Sequence, residues 1–399
     1  MAVPVRTRAA VAVGRVAAAA SRRLRRGHGA IIGGRVALAL DPNALERLVD
    51  DRPVTIVTGT NGKTTTTRLV AEALSCANVV ASNRGGNMPP GLIEAAAEPG
   101  AHELVLEVDE LYVPRVLAAT RASTLVLLNI SRDQLDRITE IRSIAERWRA
   151  ALAAADWPIT VVANCDDPLV VWAVGDHQRV SWVAAGARWR EDAALCPQCG
   201  RPRPIALDGA WSCDCGLSRP TPDHLVDPTL QLDLPGDFNR SNAAIALAVA
   251  ALRGIPADQA RKRVAAVRDV GGRYETVHVD GRDVRLHLAK NPASWGELLS
   301  LIASNTGSSA LLCVNARVAD GMDTSWLWDV PFEELAGRAV TATGDRRLDL
   351  SLRLRVGGVG HVVAPSLIDA IHSLPEGAVE LFATYTAFHD VLRELKVDW

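Results

Sequence analysis

The stretch Val54-Thr55-Ile56-Val57-Thr58-Gly59-Thr60-Asn61-Gly62-Lys63-Thr64-Thr65 decides how this chain is read. Val54–Val57 is a short β-branched run that predicts a strand, and a helix is predicted from Lys63 to about Ser75. Strand, glycine-rich turn, Lys-Thr, helix is an arrangement that binds nucleotide phosphates. Backbone N–H groups of the turn and the helix N-terminus face the phosphate oxygens, where the helix dipole favours negative charge. Gly59, Thr60, Asn61, Gly62, Lys63, Thr64 and Thr65 are therefore candidate ATP-binding residues. Lys63 would bring a point charge to the β- and γ-phosphates, and the Thr64 hydroxyl would ligate Mg²⁺. The longer form of this loop demands glycine five residues before Gly62, where Val57 stands, so this is the shortened form. The competing reading is a fortuitous glycine-rich turn.

Outward from the loop, apolar runs at Leu104–Val108, Leu125–Ile130 and Ile159–Ala163 predict buried parallel strands, separated by amphipathic segments such as Ile138–Ala154. The fold class is α/β, a doubly wound sheet. Residues 187–228, rich in Cys, Pro, Gly and Arg, break the pattern as an insert. The α/β character resumes with Leu230–Leu234, then helices near Ser241–Leu252 and Asp258–Val267. Gly271-Gly272 reads as a hinge, after which Glu275–Val279 and Val284–Leu288 form a hairpin around Asp280-Gly281-Arg282. Ala310–Val314, Ala339–Thr343 and Val379–Thr384 are further predicted strands. The expected organisation is an N-terminal helical segment 1–48, a central domain 49–270 carrying the insert, and a C-terminal α/β domain 271–399.

The chain has 399 residues, enough for two to three domains. Its 44 basic and 46 acidic residues leave a net charge of −2, which argues against a nucleic-acid binder working by bulk phosphate neutralisation. No run of 18 uncharged apolar residues occurs, so no transmembrane helix is expected. Residues 9–20 are Ala-rich and flanked by arginines, but Arg15 interrupts the apolar centre and the stronger basic run follows it, unlike an export signal. A helix packed on the body and a basic surface near anionic lipid are both open for this segment, and the expected compartment is the reducing cytoplasm. Only four of the basic residues are lysines: Lys63, Lys262, Lys290 and Lys396.

Cys196-Pro197-Gln198-Cys199-Gly200 and Cys213-Asp214-Cys215-Gly216 form two hooks across a 13-residue spacer. Such thiolates close a tetrahedral Zn²⁺ site, and four protein ligands make it structural rather than catalytic. Two disulfides are the alternative. Cys76, Cys165 and Cys313 sit in or beside apolar runs and read as core residues.

The short phosphate loop resembles the ATP-binding signature of the Mur ligase family, and other segments agree. Glu107 in Leu106-Glu107-Val108-Asp109 matches the family's Mg²⁺-binding glutamate. The run from Asn129 to Arg137 resembles its "N-x-x-x-D-H-L-D-R" motif, with Gln134 in place of the usual His. Gly236, Asn239 and Asn242 resemble "G-x-x-N-x-x-N" near the adenine; Gly272-Arg273-Tyr274-Glu275 matches "G-R-x-E", and Ala289-Lys290-Asn291-Pro292 resembles "A-H-N-P". The resemblance implies a Mur-ligase-like central P-loop ATPase domain with an inserted four-Cys zinc ribbon, plus a C-terminal Rossmann-like domain. It implies ATP and Mg²⁺ as cofactors, Lys63 and Glu107 as catalytic residues, and Asn239 and Arg273 at the nucleotide. Two features depart from amino-acid-adding members: no lysine follows Arg137 through Asp156, and only about 50 residues precede the loop.

The short N-terminus, the zinc ribbon and Asp320-Gly321-Met322-Asp323-Thr324-Ser325-Trp326-Leu327-Trp328-Asp329 are similar to the family's MurT-type branch, as is Asn83-Arg84-Gly85-Gly86-Asn87-Met88. That branch implies amidation of the D-glutamate α-carboxyl in the lipid II stem peptide, with ammonia from a glutaminase subunit of GatD type. No cysteine here lies in a glutaminase-like nucleophile elbow, so ammonia would come from a partner. The resemblance gives Asp323 to the partner's Cys-His pair, with Asp320 and Asp329 close by and a turn-forming role for Asp323 also open. Trp326 and Trp328 read equally as a partner-facing edge or as core. Peripheral contact with the inner membrane face, the role of Lys290, an amino-acid-adding ligase like folylpolyglutamate synthase, and a catalytically silent scaffold are the other readings.

Overall fold

The computed structural model describes residues 3–23, 30–49, 52–83, 86–132, 141–186, 191–202, 210–268, 270–271, 273–303 and 307–397. Of the stretches singled out above, Arg84, Gly85, Asp133–Arg137, Gly272 and parts of the basic run and of the insert lie outside these residues. The chain forms two compact units. The first comprises Met1–Ile130, Arg142–Leu232 and Asn239–Val267; the second comprises Ser131–Ile141, Asp233–Phe238 and Arg268–Trp399.

The first unit begins with helices α1 (Val5–Arg23), α2 (Ala30–Leu40) and α3 (Ala44–Val49). Alternation follows: β1 (Val54–Thr58), α4 (Lys63–Leu74), β2 (Val80–Ser82), α5 (Pro89–Ala96), β3 (Glu103–Glu107), α6 (Val113–Thr120) and β4 (Thr124–Leu127). It continues through α7 (Arg142–Ala154), β5 (Thr160–Asn164), α8 (Pro168–Val174), β6 (Val180–Ala184), β7 (His224–Leu225), α9 (Asp237–Leu252) and α10 (Ala257–Ala265). Among the described residues the sheet order is β2-β3-β1-β4-β5-β6-β7, with every pairing parallel. All five residues of β1 are buried, as expected of a strand covered on both faces, which is why it reads as a β-branched run without alternation. β1 sits between β3 and β4, so the loop after Thr58 leaves the carboxyl end of the sheet, where open α/β folds bind ligands.

The Ala-rich start forms a helix packed against its neighbours. A Cβ on Gly14 of α1 would lie 2.5 Å from the Gly33 carbonyl oxygen of α2, so the two backbones touch where only glycine fits. Thr7 Oγ1 donates to Asp41 Oδ2 at 2.5 Å and secures the other end of the pair. Leu230–Leu234 is not a strand: Leu230 and Leu234 are buried and the residues between them are more exposed, but no strand among the described residues pairs with this segment. Pro228 and Pro235 bracket it. The alternation is that of an extended connector, and the following helix starts at Asp237.

The second unit carries β8 (Thr276–Val279), β9 (Arg282–Leu288), α11 (Pro292–Ala303), β10 (Ser309–Cys313), β11 (Val340–Thr343), α12 (Arg347–Val356), β12 (Val362–Val363), α13 (Leu367–His372), β13 (Gly377–Ala383) and α14 (Tyr385–Glu394). Its order is β12-β11-β10-β13-β9-β8, parallel except for the antiparallel β8–β9 hairpin. Asp280 (φ 44°) and Gly281 (φ 79°) both take positive φ, the conformation that a two-residue hairpin turn requires of an Asp-Gly pair. One face of the sheet packs Trp295, Leu299, Phe332 and Phe382 into a core, and the other packs Leu286, Leu311, Leu381 and Phe388. Among the described residues no helix is long and apolar enough to cross a membrane.

Candidate functional site

The phosphate loop is held open by a backbone that only its sequence permits. Gly59 (φ 145°) turns the chain out of β1, and Gly62 (φ 82°) sits in the left-handed region immediately before α4. A Cβ on Gly59 would approach Leu128 Cβ to 2.8 Å, so the loop lies directly on the end of β4. Asn129, at that end, grips the loop twice. Its Oδ1 accepts the Asn61 amide at 2.8 Å, and its Nδ2 donates to the Asn61 carbonyl at 3.0 Å. The Thr60 amide donates to the Asn129 carbonyl at 3.0 Å. Sequence reasoning placed Asn129 in a motif but gave it no role; its position after a buried strand was the available signal.

Lys63 and Thr65 are buried and Thr64 is half-buried in the first turn of α4. Across the loop, Asn239 is fully buried in α9 and accepts from Asn242 Nδ2 at 3.2 Å. The Asn242 side-chain oxygen Oδ1 lies 2.7 Å from where a Cβ on Gly62 would be, so α9 closes this side of the loop. Glu107 ends β3 half-buried, its backbone clamped by Asn83: the Glu107 amide donates to Asn83 Oδ1 at 2.8 Å, and Asn83 Nδ2 donates to the Glu107 carbonyl at 3.0 Å. Asn87 Nδ2 reaches the Glu107 carboxylate at 3.5 Å. A hydroxyl and a carboxylate, both half-buried, are hard oxygen donors that suit Mg²⁺.

One contact was not anticipated. Lys63 Nζ donates to Glu110 Oε2 at 2.9 Å and to the Gly59 carbonyl at 2.6 Å, with both charged side chains less than a tenth exposed. Glu110 lies 47 residues from Lys63 in sequence, and its only advance mark was the acidic run Glu107-Val108-Asp109-Glu110.

The four insert cysteines converge as the spacing predicts, with all Sγ atoms within 4.8 Å of one another. Cys196 and Cys215 approach to 3.6 Å, and Cys199 and Cys213 to 3.5 Å. Four thiolates around a tetrahedral Zn²⁺ at about 2.3 Å stand about 3.8 Å apart, so the set fits that ion. Gly200 (φ 73°) and Gly216 (φ 95°) turn the two hooks, and the Gly200 and Gly216 amides donate to the Cys196 and Cys213 carbonyls. The Arg201 backbone amide lowers the pKa of the Cys199 thiol while the hydrogen bond to Cys199 raises that of Cys213, so without a metal Cys213 is the donor and Cys199 the acceptor of the pair. Trp211 Nε1 donates to the Cys165 carbonyl at 3.2 Å, and Arg219 pairs with Asp166 at 2.6 Å, fastening the insert to the end of β5. None of the seven cysteines is paired in a disulfide. Burial pushes the Cys165 and Cys313 thiols up to about 12, which keeps them protonated, as core residues should be.

Arg273 and Asp323 belong to the second unit. Arg273 is half-buried, its amide donating to the Val270 carbonyl at 3.4 Å. Lys290 leads into a capping box at the start of α11: Asn291 Oδ1 accepts the Ser294 amide at 2.9 Å and Ser294 Oγ accepts the Asn291 amide at 3.1 Å. The Asn-Pro pair of this motif is therefore an N-cap and first helical residue. Asp323 is exposed on the loop after β10, and its Oδ1 accepts the Ser325 amide at 2.7 Å. That amide holds the carboxyl below its ordinary value, so it is ionised at neutral pH. Its neighbours are committed within the chain. Asp320 accepts from the Thr386 amide at 2.7 Å and the Arg317 amide at 3.0 Å, and Asp329 pairs with Arg132 at 3.2 Å. The two tryptophans divide: Trp326 is core, its ring tilted against Trp295 at 6.2 Å between centroids, whereas Trp328 is 53% exposed. A partner-facing role for Trp326 is thus excluded by its burial.

Residues 57–189 match the model of the Mur ligase middle domain, and residues 288–388 match the MurT ligase C-terminal model. Among curated proteins, the chain is 29% identical over 390 aligned positions to "Lipid II isoglutaminyl synthase (glutamine-hydrolyzing) subunit MurT" of Staphylococcus aureus (strain N315), covering 88% of each chain. It is 30% identical over 376 positions to the protein of the same name from Streptococcus pneumoniae (strain ATCC BAA-255 / R6), covering 84% of this chain and 83% of that one. Among solved structures, a pseudomurein peptide ligase type C from Methanothermus fervidus aligns with TM-score 0.68 at 18% identity, over 88% of this chain and 80% of the other. Short loop, four-Cys insert and Asp323 segment thus occur in a chain that belongs to the Mur ligase family, as an enzyme of its MurT type.

Proposed function

We propose that this chain is the synthetase subunit of a lipid II isoglutaminyl synthase. The observation that carries the proposal is the similarity to MurT subunits along more than four-fifths of the chain, in the presence of a fully formed phosphate loop. An α-carboxylate oxygen of D-glutamate in the lipid II stem peptide attacks the γ-phosphorus of ATP, and ADP leaves. Ammonia then attacks the acyl carbon, phosphate leaves, and the carboxyl has become the amide of D-isoglutamine. Both steps move negative charge among phosphate oxygens, so catalysis is largely positioning and electrostatic stabilisation.

In this reading the loop amides between Gly59 and Thr65 and the Lys63 ammonium hold the β- and γ-phosphates. Thr64 and Glu107 would hold Mg²⁺, which when bound neutralises phosphate charge. Asn239 and Arg273 serve the nucleotide. The four cysteines would hold a structural Zn²⁺, since a site with four protein ligands leaves no position for substrate. Ammonia comes from a glutaminase subunit of GatD type, and Asp323 orients that partner's imidazole and stabilises its charged form. Its exposure and ionised state support this, as does the engagement of Asp320 and Asp329 inside the chain.

The test is reconstitution: the chain with a GatD-type glutaminase, lipid II, glutamine and ATP. Conversion of the glutamate α-carboxyl to the amide, read by mass spectrometry of the released stem peptide, is expected. ATP turnover only when an amino acid is supplied would point to an amino-acid-adding ligase instead.

A further inference from the structure

We propose that Glu110 is a positioning residue that holds the Lys63 ammonium until the phosphates of the nucleotide replace it. The proposal rests on reading the loop as a nucleotide site. Lys63 Nζ has three protons to donate, and all three have partners: Gly59 O at 2.6 Å, Thr60 O at 3.3 Å and Glu110 Oε2 at 2.9 Å. Two of these partners are carbonyls of the loop itself; Glu110 is the one that carries charge. With the lysine 6% and the glutamate 8% exposed, neither ion is well hydrated, and a buried ammonium without a counter-charge would be strongly disfavoured.

Glu110 is set in place by rigid surroundings rather than by chance. Its carbonyl accepts Trp148 Nε1 at 3.0 Å, and Trp148 is fully buried in α7. The Val108 amide donates to the Val57 carbonyl at 3.0 Å, and the Asp109 amide to the Asn87 carbonyl at 2.9 Å, so the turn after β3 is anchored to β1 and to Asn87. The carboxylate therefore stands where it keeps Lys63 folded over the loop. A nucleotide's phosphates and this carboxylate compete for one cation, and the phosphates, with greater charge and the loop amides beside them, displace it. Glu110 thereby stabilises the nucleotide-free loop and lowers its nucleotide affinity.

Calorimetric titration of the full chain with ADP and Mg²⁺, paired with thermal unfolding without nucleotide, tests this. Glu110→Gln is expected to unfold at lower temperature without nucleotide and to bind ADP roughly tenfold more tightly than wild type, the factor that about 1.4 kcal/mol gives. Glu110→Asp, which keeps the charge but shortens the reach, should change in the same direction by less. The gain should vanish when Lys63→Met is combined with Glu110→Gln, which a merely structural role would not require. Unchanged or weaker ADP binding by Glu110→Gln, or a gain that survives loss of Lys63, overturns the proposal. If the Gln variant does not fold, the Asp variant decides by the same criterion. A wild-type chain that binds no ADP refutes the nucleotide reading itself, and that outcome is seen before any variant is compared.

Discussion

Asn129 is hydrogen-bonded through both ends of its amide to the backbone of Asn61, at 2.8 and 3.0 Å. One side chain at the end of β4 thereby fixes the middle of the phosphate loop. Asn129→Ala should lower nucleotide affinity by at least about tenfold and cost about 1–3 kcal/mol of stability, because two half-buried backbone groups lose their partner. Asn129→Asp keeps the acceptor for the Asn61 amide but not the donor, and should fall between. Titration with ADP and chemical denaturation measure the two effects; a variant with wild-type affinity contradicts the assigned role.

Gly62→Ala should be harmful for two separable reasons. The φ of 82° is strained for alanine, at about 1 kcal/mol, and the new Cβ would lie 2.7 Å from Asn242 Oδ1. Adding Asn242→Ala should relieve the clash but not the strain, so thermal unfolding of the double variant is expected to recover only part of the loss. Full recovery would show that the backbone conformation carries no cost.

Purified chain should contain one zinc per molecule by elemental analysis. Cys199→Ser or Cys213→Ser should lose the metal and lower the unfolding temperature, while Cys165→Ser, away from the cluster, should keep it. Zinc in the Cys199→Ser chain at the wild-type level would refute the four-thiolate assignment.

Much of this was legible in the sequence because local chemistry and fold agree. Glycines at 59 and 62 announce positive φ, and the hooks around Cys196 and Cys213 announce a cluster whatever surrounds them. The Asp-Gly turn between β8 and β9 was readable for the same reason. Leu230–Leu234 was misleading, because alternating burial identifies an extended chain and says nothing about whether a second strand pairs with it. Trp326 and Trp328 are two residues apart in a tight turn of 3-10 helix, where sequence spacing does not decide which ring turns inward. The Lys63–Glu110 pair was invisible because it joins the segments that follow two strands, and those strands become neighbours only in the sheet.

Asp323→Asn should abolish amidation driven by glutamine and spare amidation driven by free ammonium, since the carboxylate is assigned to the partner's glutaminase centre rather than to the ligase step. Loss of both activities, or of neither, contradicts that division.

The account stands on ATP activating the carboxylate that becomes the amide. The most direct measurement uses the chain with lipid II whose glutamate α-carboxylate carries heavy oxygen, together with ATP, Mg²⁺ and ammonium. Amide product accompanied by ADP and by inorganic phosphate carrying one heavy oxygen from that carboxylate is the predicted result. Amide formed without transfer of label to phosphate, or phosphate released with no amide in the fully reconstituted mixture, would contradict it.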